Sequence, residues 1–194
     1  MVVKEPTFET LLGDQPKQAG FFRERIIMNR KRLEKLADFL ETNPLLQKKG
    51  KFDLNTWMSS YDMMRDSMYQ KLAKKTENLP AFDKNCNPIE CRTVGCAMGW
   101  ATTIPSFRKA GLKLQLDNDG IAEICLKTKD GYFTEMRAAE VFFDFDQFDH
   151  YRIPELLFLP HYYLEKKRRN PKAVAKRIRE LLKFGEEEFM RRHT

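Results

Sequence analysis

Two glycines lie four residues apart in the segment that most constrains the fold of this chain. Residues 93–104 otherwise have the composition of a helix, and Gly95 and Gly99 would share one side of it. Each glycine weakens a helix by about 1 kcal/mol relative to alanine, unless another backbone passes close by. We therefore expect a tightly packed central helix, with Cys96 and Trp100 buried against other elements.

Helical spacing of apolar residues recurs elsewhere in the chain. Residues 23–46 have apolar positions at three- and four-residue steps, which predicts an amphipathic helix ending near Asn43. In the central helix, Thr93 is the expected N-cap and Pro105 the expected end. Further helices are expected over residues 60–75, over residues 134–142 with Thr134 as cap, over residues 147–158 with an interruption at Pro154, and over residues 171–192 after Asn170.

Strand-like alternation follows the central helix. Three leucines alternate with polar residues over 112–116, and after a turn at 117–120 a second apolar run covers residues 121–128. This arrangement predicts a β-hairpin. A second turn at 129–131 leads into two aromatic residues that can form a third strand.

Length and composition favour one domain. A chain of 194 residues holds one hydrophobic core and is short for two, and 42% hydrophobic residues match a folded protein. We predict an α+β fold, a mostly helical single domain over residues 23–194 with a small antiparallel hairpin or three-stranded sheet, after an irregular arm at residues 1–22. The arm lacks the features of a secretion signal and no run of 18 apolar residues occurs, so we expect no membrane association and a cytoplasmic location.

The positive charge is concentrated in two segments. The net charge is +7, yet residues 17–51 and residues 161–194 each carry +6. If the two segments lie together, they form one basic face that attracts phosphate backbones or an acidic protein, whereas two separate solvated helix faces are the simpler alternative. Tyr162 and Tyr163 precede the second helix and can stack on bases. The candidate nucleic-acid-binding residues are Arg30, Lys31, Lys35, Lys166, Lys167, Arg168, Arg169, Lys172, Lys176 and Arg179.

A sequence of short motifs resembles a family of small uncharacterised proteins from phages and bacteria. The motif order is Phe-Asp-aliphatic-x-x-Trp, then Cys-x-Thr-x-x-Cys-x-x-Gly-Trp-Ala, then an Ala-rich helix with two bulky apolar residues, then Leu-Phe. The matching residues are Phe52, Asp53, Leu54 and Trp57; Cys91, Thr93, Cys96, Gly99, Trp100 and Ala101; Ala138, Ala139, Phe142 and Phe143; and Leu157 with Phe158. The resemblance covers about residues 30–160 and implies a shared fold and a phage or bacterial origin, but no activity. The chain departs from the family in Arg92, in a Met-rich insertion after Trp57 and in its basic tail.

The cysteines raise the question of a zinc site. Cys86, Cys91 and Cys96 have C-x4-C-x4-C spacing, and Cys125 is the fourth candidate ligand, but the C-x2-C knuckle that is typical of structural zinc is missing. Reduced structural thiols are therefore the favoured interpretation, and we predict no cofactor.

Two catalytic arrangements remain as alternatives. A cysteine hydrolase needs Cys96 or Cys91 within reach of His150 or His161, and the first turn of a helix favours a thiolate at Cys96. In the run FFDFDQFDHY, three aspartates and a histidine resemble a divalent-cation site, although N-capping and aromatic packing explain the same run. The residues of this acidic cluster are Asp144, Asp146, Asp149 and His150.

Taken together, these features favour a non-enzymatic phage accessory protein in the cytoplasm of a bacterial host. It is expected to bind a macromolecule through its basic N- and C-terminal helices, with DNA or RNA favoured as the partner. The alternatives are a host-takeover or anti-defence factor that binds a host or phage protein, and a cysteine- or metal-dependent enzyme.

Overall fold

The structure is a computed structural model that describes residues 28–48, 50–60, 67, 68, 71, 74, 93–116, 122–145 and 152–194. The helices are α1 (Arg30–Thr42), α2 (Ala97–Ala101), α3 (Pro105–Lys109), α4 (Glu135–Phe142), α5 (Arg152–Phe158), α6 (Pro171–Phe184) and α7 (Glu186–His193). The strands are β1 (Met58–Ser60), β2 (Thr93–Gly95), β3 (Leu112–Leu116), β4 (Ala122–Thr128) and β5 (Gly131–Thr134). Two 3₁₀ turns cover Pro160–Tyr162 and Glu165–Lys167.

Helix α1 begins and ends as its sequence indicates. The Asn29 side chain accepts a hydrogen bond from the backbone N–H of Arg32, which satisfies one of the free donors at the helix start. The helix buries one apolar stripe, and it ends where the Asn43 N–H donates to the carbonyl of Phe39, just before Pro44. The predicted end is confirmed, and the predicted start at Arg23 lies outside the described residues.

The central helix is shorter than predicted. Residues 93–95 form β2, which pairs antiparallel with β1, because the β-branched Thr93 and Val94 suit a strand better than a helix. Thr93 is therefore not the N-cap. Cys96 occupies that position, and its Sγ accepts a 3.4 Å hydrogen bond from the Gly99 N–H. The helix ends before Pro105, which is instead the first residue of α3.

The expected close backbone contact is present at Gly99. A Cβ built there would lie 1.7 Å from the carbonyl oxygen of Trp57. Cys96 and Trp100 are both almost fully buried, as predicted, and the Trp100 indole donates a 2.7 Å hydrogen bond to the Lys51 carbonyl. Phe52 is also buried, whereas Trp57 is only half-buried against the core.

The predicted hairpin and third strand are confirmed. Strands β3, β4 and β5 form an antiparallel sheet in that order, with Leu112 opposite Leu126 and Thr128 opposite Gly131. The first turn, at residues 117–120, lies outside the described part of the chain. With the separate β1–β2 pair and the many helices, this establishes an α+β, mostly helical single domain.

Two expectations about the C-terminal helices are wrong. Pro154 lies in the first turn of α5, where a missing N–H breaks no helical hydrogen bond, so it does not interrupt the helix. The predicted helix at 171–192 is divided at Gly185, whose φ of 80° and ψ of 173° separate α6 from α7. The helix start is as predicted, because Asn170 accepts a 3.0 Å hydrogen bond from the Lys172 N–H.

A cluster of aromatic rings joins α3, the end of α4 and α5. Phe107 of α3 packs edge-on against Phe142 of α4 at 4.9 Å between ring centroids, and Phe143 stacks on Phe158 of α5 at 5.9 Å. The predicted arm at 1–22 lies outside the described residues, as does most of the predicted helix at 60–75. In the portion of the chain that the structure describes, no helix combines the length and apolarity needed to cross a membrane.

Candidate nucleic-acid interface

The two basic end segments meet in the fold. Helices α1 and α6 make the most extensive helix–helix contact among the described residues. At one end of the contact, Arg30 donates a 2.6 Å hydrogen bond to the Leu182 carbonyl. Along its flank, Arg179 bonds to Glu41 at 3.0 Å and also to Asp38. The side-by-side packing on which the basic-face hypothesis depends is therefore present.

Arginines in these segments bind acceptors within the protein. Arg32 donates a 2.5 Å hydrogen bond to the Phe142 carbonyl and lies 4.3 Å above the ring of the same residue. Arg177 bonds to the carbonyls of Leu156 and Tyr162, and its guanidinium lies 3.9 Å from the Tyr163 ring centroid. These guanidinium groups fix helix positions, which is the use that their planar donor fork favours.

The two tyrosines predicted to stack on bases have other roles. Tyr163 is buried, donates a 2.6 Å hydrogen bond to the Leu157 carbonyl and has its ring under Arg177, and burial raises the pKa of its hydroxyl. Tyr162 is half-buried, contacts His161 at 4.1 Å between ring centroids and bonds to Glu155. Neither ring is presented as an open stacking platform.

The lysines, by contrast, remain on the surface. Successive helix residues are about 100° apart, so Lys31 and Lys35 share one outward face of α1, and Lys172 and Lys176 share one outward face of α6. Lys176 lies 3.8 Å from Glu180, a weak and exposed pair. The exposed lysines among the candidate residues are Lys31, Lys35, Lys166, Lys167, Lys172 and Lys176.

A seam of paired charges divides the lysines into two rows. Asp38 and Glu41 of α1 face α6, where both bond to Arg179. On the helix surface these carboxylates lie between the lysines of α1 and those of α6. The basic surface therefore consists of two rows of positive charge on either side of an ion-paired seam, rather than the single continuous surface expected from charge totals.

A cleft adjoins the second 3₁₀ turn. Its volume is about 420 Å³, and the described residues that line it are Asn55, Glu165, Lys166, Arg168 and Arg169. The turn is tied to the segment after α1, because the Leu54 N–H donates a 3.0 Å hydrogen bond to the Arg168 carbonyl. Three of the candidate basic residues thus converge on one concavity.

A buried carboxylate, that of Asp53, bonds to two of the residues that line this cleft. Asp53 is 1% exposed and accepts a 3.1 Å hydrogen bond from the Nε of Arg169. Its other oxygen accepts from the backbone N–H and the side-chain amide of Asn55, at 3.0 Å and 2.6 Å. Arg168 donates from its Nε to the carbonyls of Pro160 and Tyr163. Asn55 and Glu165 were not among the candidate residues predicted from the sequence, although Asn55 lies within the Phe-Asp-aliphatic-x-x-Trp motif that contains Asp53.

The geometry of Cys96 is unsuited to nucleophilic catalysis. The thiol is 1% exposed, and burial raises its pKa from 9.0 to about 12, despite hydrogen bonds from backbone amides that act in the opposite direction. A nucleophilic cysteine needs the thiolate form near neutral pH. The burial and raised pKa of Cys96 therefore do not support a hydrolase built on this thiol, while Cys91 and His150 lie outside the described residues.

The two remaining site hypotheses are only partly covered by the structure. Cys125 is buried on β4, and Cys86 and Cys91 are outside the described residues. Asp144 accepts a 3.0 Å hydrogen bond from the Asn29 side chain, which ties α1 to the end of α4, and the rest of the acidic cluster is not described. Among the residues that are described, no three His, Cys, Asp or Glu side chains come together as a metal site.

Comparisons with protein-family models, with curated proteins and with solved structures found no match to this chain.

Proposed function

We propose that this protein is a non-enzymatic accessory protein that binds nucleic acid through the exposed lysines of α1, α6 and the 165–167 turn. The observation that supports the proposal is that the arginine and lysine side chains differ in what they contact. Arginines of the end segments are engaged with acceptors inside the protein, whereas the lysines stay exposed on helices that pack together. A phage or bacterial origin rests on the motif resemblance alone.

The type of binding follows from the chemistry of lysine. A lysine ammonium is a compact, hydrated charge on a flexible stem, which suits contact with phosphates and does not read bases. Each phosphate contact releases condensed counterions, so affinity falls steeply as salt rises. We therefore propose binding without sequence preference, directed at the phosphate backbone of DNA or RNA.

A protein partner with an acidic surface is the competing hypothesis. The same lysines would attract it, and the strongly exposed Leu164, at 63% exposure, adds one apolar contact beside the 165–167 turn. A single exposed leucine is common on protein surfaces, so it does not outweigh the lysine rows. The binding experiment separates the two partner classes.

The test compares two variants with equal loss of charge. In the first, Lys166, Lys167, Lys172 and Lys176 are changed to Ala; in the control, Lys109, Lys113, Lys127 and Lys129 are changed to Ala, which removes four exposed lysines from α3, the sheet and its turn. Fluorescence anisotropy measures binding to labelled DNA and RNA of about 20 nucleotides between roughly 50 and 200 mM salt.

The first variant is expected to lose on the order of tenfold or more in affinity, and to lose it equally for unrelated sequences. The slope of log affinity against log salt concentration is expected to fall in magnitude by about 3 to 4. The control is expected to retain most of its affinity. Equal losses in the two variants would refute a localised interface. Absence of DNA and RNA binding at low salt would refute the proposal itself and favour a protein partner.

A further inference from the structure

The surface formed by α1 and α6 carries more positive than negative charge. The formal charge of α1 is +1 and that of α6 is +4, so the two helices together carry +5. Within the described part of the chain, Lys31, Lys35 and Lys172 form no ion pair. Lys176 has its exposed 3.8 Å contact with Glu180. The positive excess is therefore available on exposed ammonium groups.

The seam between the two lysine rows has the opposite charge. Its carboxylates, Asp38 and Glu41, are joined by Glu34, because spacings of four and three residues place all three along one side of α1. Arg30, four residues before Glu34, and Arg179 add two guanidinium groups to the seam. The seam therefore holds one more negative than positive group, and a phosphate is not attracted to it.

The lysines lie on the outer sides of this seam. Lys31 and Lys35 form the row on α1. On α6, the row of Lys172 and Lys176 continues with the exposed Lys183, which is seven residues further on and therefore on the same face. Across the surface, the charge alternates from positive to negative and back to positive.

The two rows run along antiparallel helices. Arg30 at the start of α1 bonds to the carbonyl of Leu182 near the end of α6, and Leu54, after α1, bonds to the carbonyl of Arg168, before α6. The axes of packed helices are about 8 to 10 Å apart, so rows on the outer sides are separated by about that distance or more. The grooves of B-form DNA are about 6 and 12 Å wide, which is the same scale.

The two helices offer no open aromatic ring for stacking. Each contains one aromatic residue, Phe39 in α1 and Phe184 in α6. Phe39 packs against the core, and the guanidinium of Arg192 covers the Phe184 ring at 3.9 Å from its centroid. Proteins that bind single strands combine a basic groove with rings on which successive bases stack. A duplex keeps its bases stacked on one another and needs no such ring.

We propose that the two lysine rows straddle one groove of a nucleic-acid duplex, and that each row contacts one of its two phosphate strands. The negative seam then faces the groove, where no phosphates lie. A single strand has one line of phosphates and can follow only one row. This inference rests on the proposed function and specifies a double helix as the ligand.

The experiment uses the full chain and variants that each lose two lysines. Fluorescence anisotropy measures binding of one labelled sequence of about 20 nucleotides, as a single strand and as a duplex, in DNA and in RNA, between roughly 50 and 200 mM salt. Urea denaturation checks that each variant keeps the wild-type unfolding free energy. The variants are Lys31→Ala/Lys35→Ala, Lys172→Ala/Lys176→Ala and the control Lys109→Ala/Lys113→Ala.

We expect the wild-type protein to bind the duplex at least about tenfold more tightly than the single strand. Each row variant should lower the magnitude of the slope of log affinity against log salt concentration by about 2 on the duplex. Loss of Lys31 and Lys35 should leave the affinity for the single strand within about twofold, because the α6 row is the more positive one. The control should retain its affinity for both ligands.

The outcomes separate this inference from the proposed function. Equal losses on duplex and single strand after removal of Lys31 and Lys35, or no loss on either, would overturn the assignment of one row to each strand and leave phosphate binding intact. Single strands bound as tightly as duplexes would overturn it as well. Tighter binding of the DNA or the RNA duplex, with both row effects present, would support the inference and identify the groove. Absence of binding to all four nucleic acids at low salt would refute the proposed function itself.

Discussion

Replacement of Gly99 by alanine is the sharpest test of how the centre of the domain is built. The added Cβ would lie 1.7 Å from the Trp57 carbonyl oxygen, 2.8 Å from the carbonyl carbon and 3.2 Å from the Met58 Cβ. An ordinary carbon–oxygen contact is about 3.3 Å, so the carbonyl would have to move by roughly 1.6 Å. A backbone atom cannot make that movement without disturbing its own hydrogen bonds.

The cost follows from what the displaced carbonyl holds. The Trp57 oxygen accepts a 3.1 Å hydrogen bond from the Cys96 N–H, which also donates at 2.9 Å to the Thr56 carbonyl, at the junction of β2 and α2. Overpacking costs about 1 to 3 kcal/mol, and weakening a buried hydrogen bond adds about 1 to 3 kcal/mol. After about 1 kcal/mol is returned by the better helix propensity of alanine, the expected loss in unfolding free energy is about 1 to 5 kcal/mol. The upper end of that range is a large part of the 5 to 15 kcal/mol typical of a domain.

Urea denaturation followed by circular dichroism measures this loss. Gly95→Ala is a matched control in the same segment, because its nearest neighbour is the flexible end of Met58 at 2.9 Å and the Trp57 oxygen is 3.1 Å away. The control should be destabilised much less than Gly99→Ala. The sign of the change in unfolding free energy is decisive, because alanine would stabilise the helix if Gly99 had no close neighbour. A Gly99→Ala protein with unchanged or greater stability would therefore refute the packing argument.

Two further predictions concern single side chains. In a protein with Cys86, Cys91 and Cys125 replaced by serine, the remaining Cys96 should react with a thiol reagent at pH 8 only after unfolding. The reason is that burial raises the pKa of this thiol to about 12. Rapid labelling of the native protein would contradict the burial. Asn170→Ala should lower the unfolding free energy by about 1 kcal/mol through loss of the α6 cap, while Asn170→Asp should retain most of it; equal effects of the two substitutions in urea denaturation would exclude a capping role.

Local signals in the sequence predicted much of this fold. The alternation at 112–116 and 122–128 produced the hairpin, and Asn170 followed by Pro171 marked the start of α6. The glycine spacing correctly indicated a close backbone contact. It did not reveal which backbone would be involved, because the contacting residue, Trp57, is 42 positions away in the chain.

The wrong predictions of helix boundaries arose where one local sequence pattern is compatible with two local structures. Thr93 is a good N-cap and also a good strand residue, and pairing with β1 decides for the strand. Pro154 disrupts a helix interior but is tolerated in a first turn, so its effect depends on where α5 begins. Gly185 precedes three glutamates, which favour a new helix start. This signal was missed because the prediction followed the apolar stripe of α6.

The basic residues show a different limit of sequence reasoning. Their number and position are visible in the chain, but the partner of each is not, because Arg32 bonds to a carbonyl 110 residues away and Arg30 to one 152 residues away. The difference between arginine and lysine nevertheless supplies a physical guide, since the weakly hydrated guanidinium favours buried acceptors and the ammonium favours water. All four arginines among the candidate binding residues have acceptors inside the protein, and those residues are Arg30, Arg168, Arg169 and Arg179.

This difference between the bonded arginines and the exposed lysines determines how mutations of the proposed interface should be interpreted. Replacing an arginine such as Arg179 removes a contact between α1 and α6 as well as a charge, so a loss of nucleic-acid binding would not identify a phosphate contact. Replacing an exposed lysine removes charge with little effect on the fold. Lysine variants that keep the wild-type unfolding free energy therefore give the interpretable measurement, and their salt slopes report the phosphate contacts.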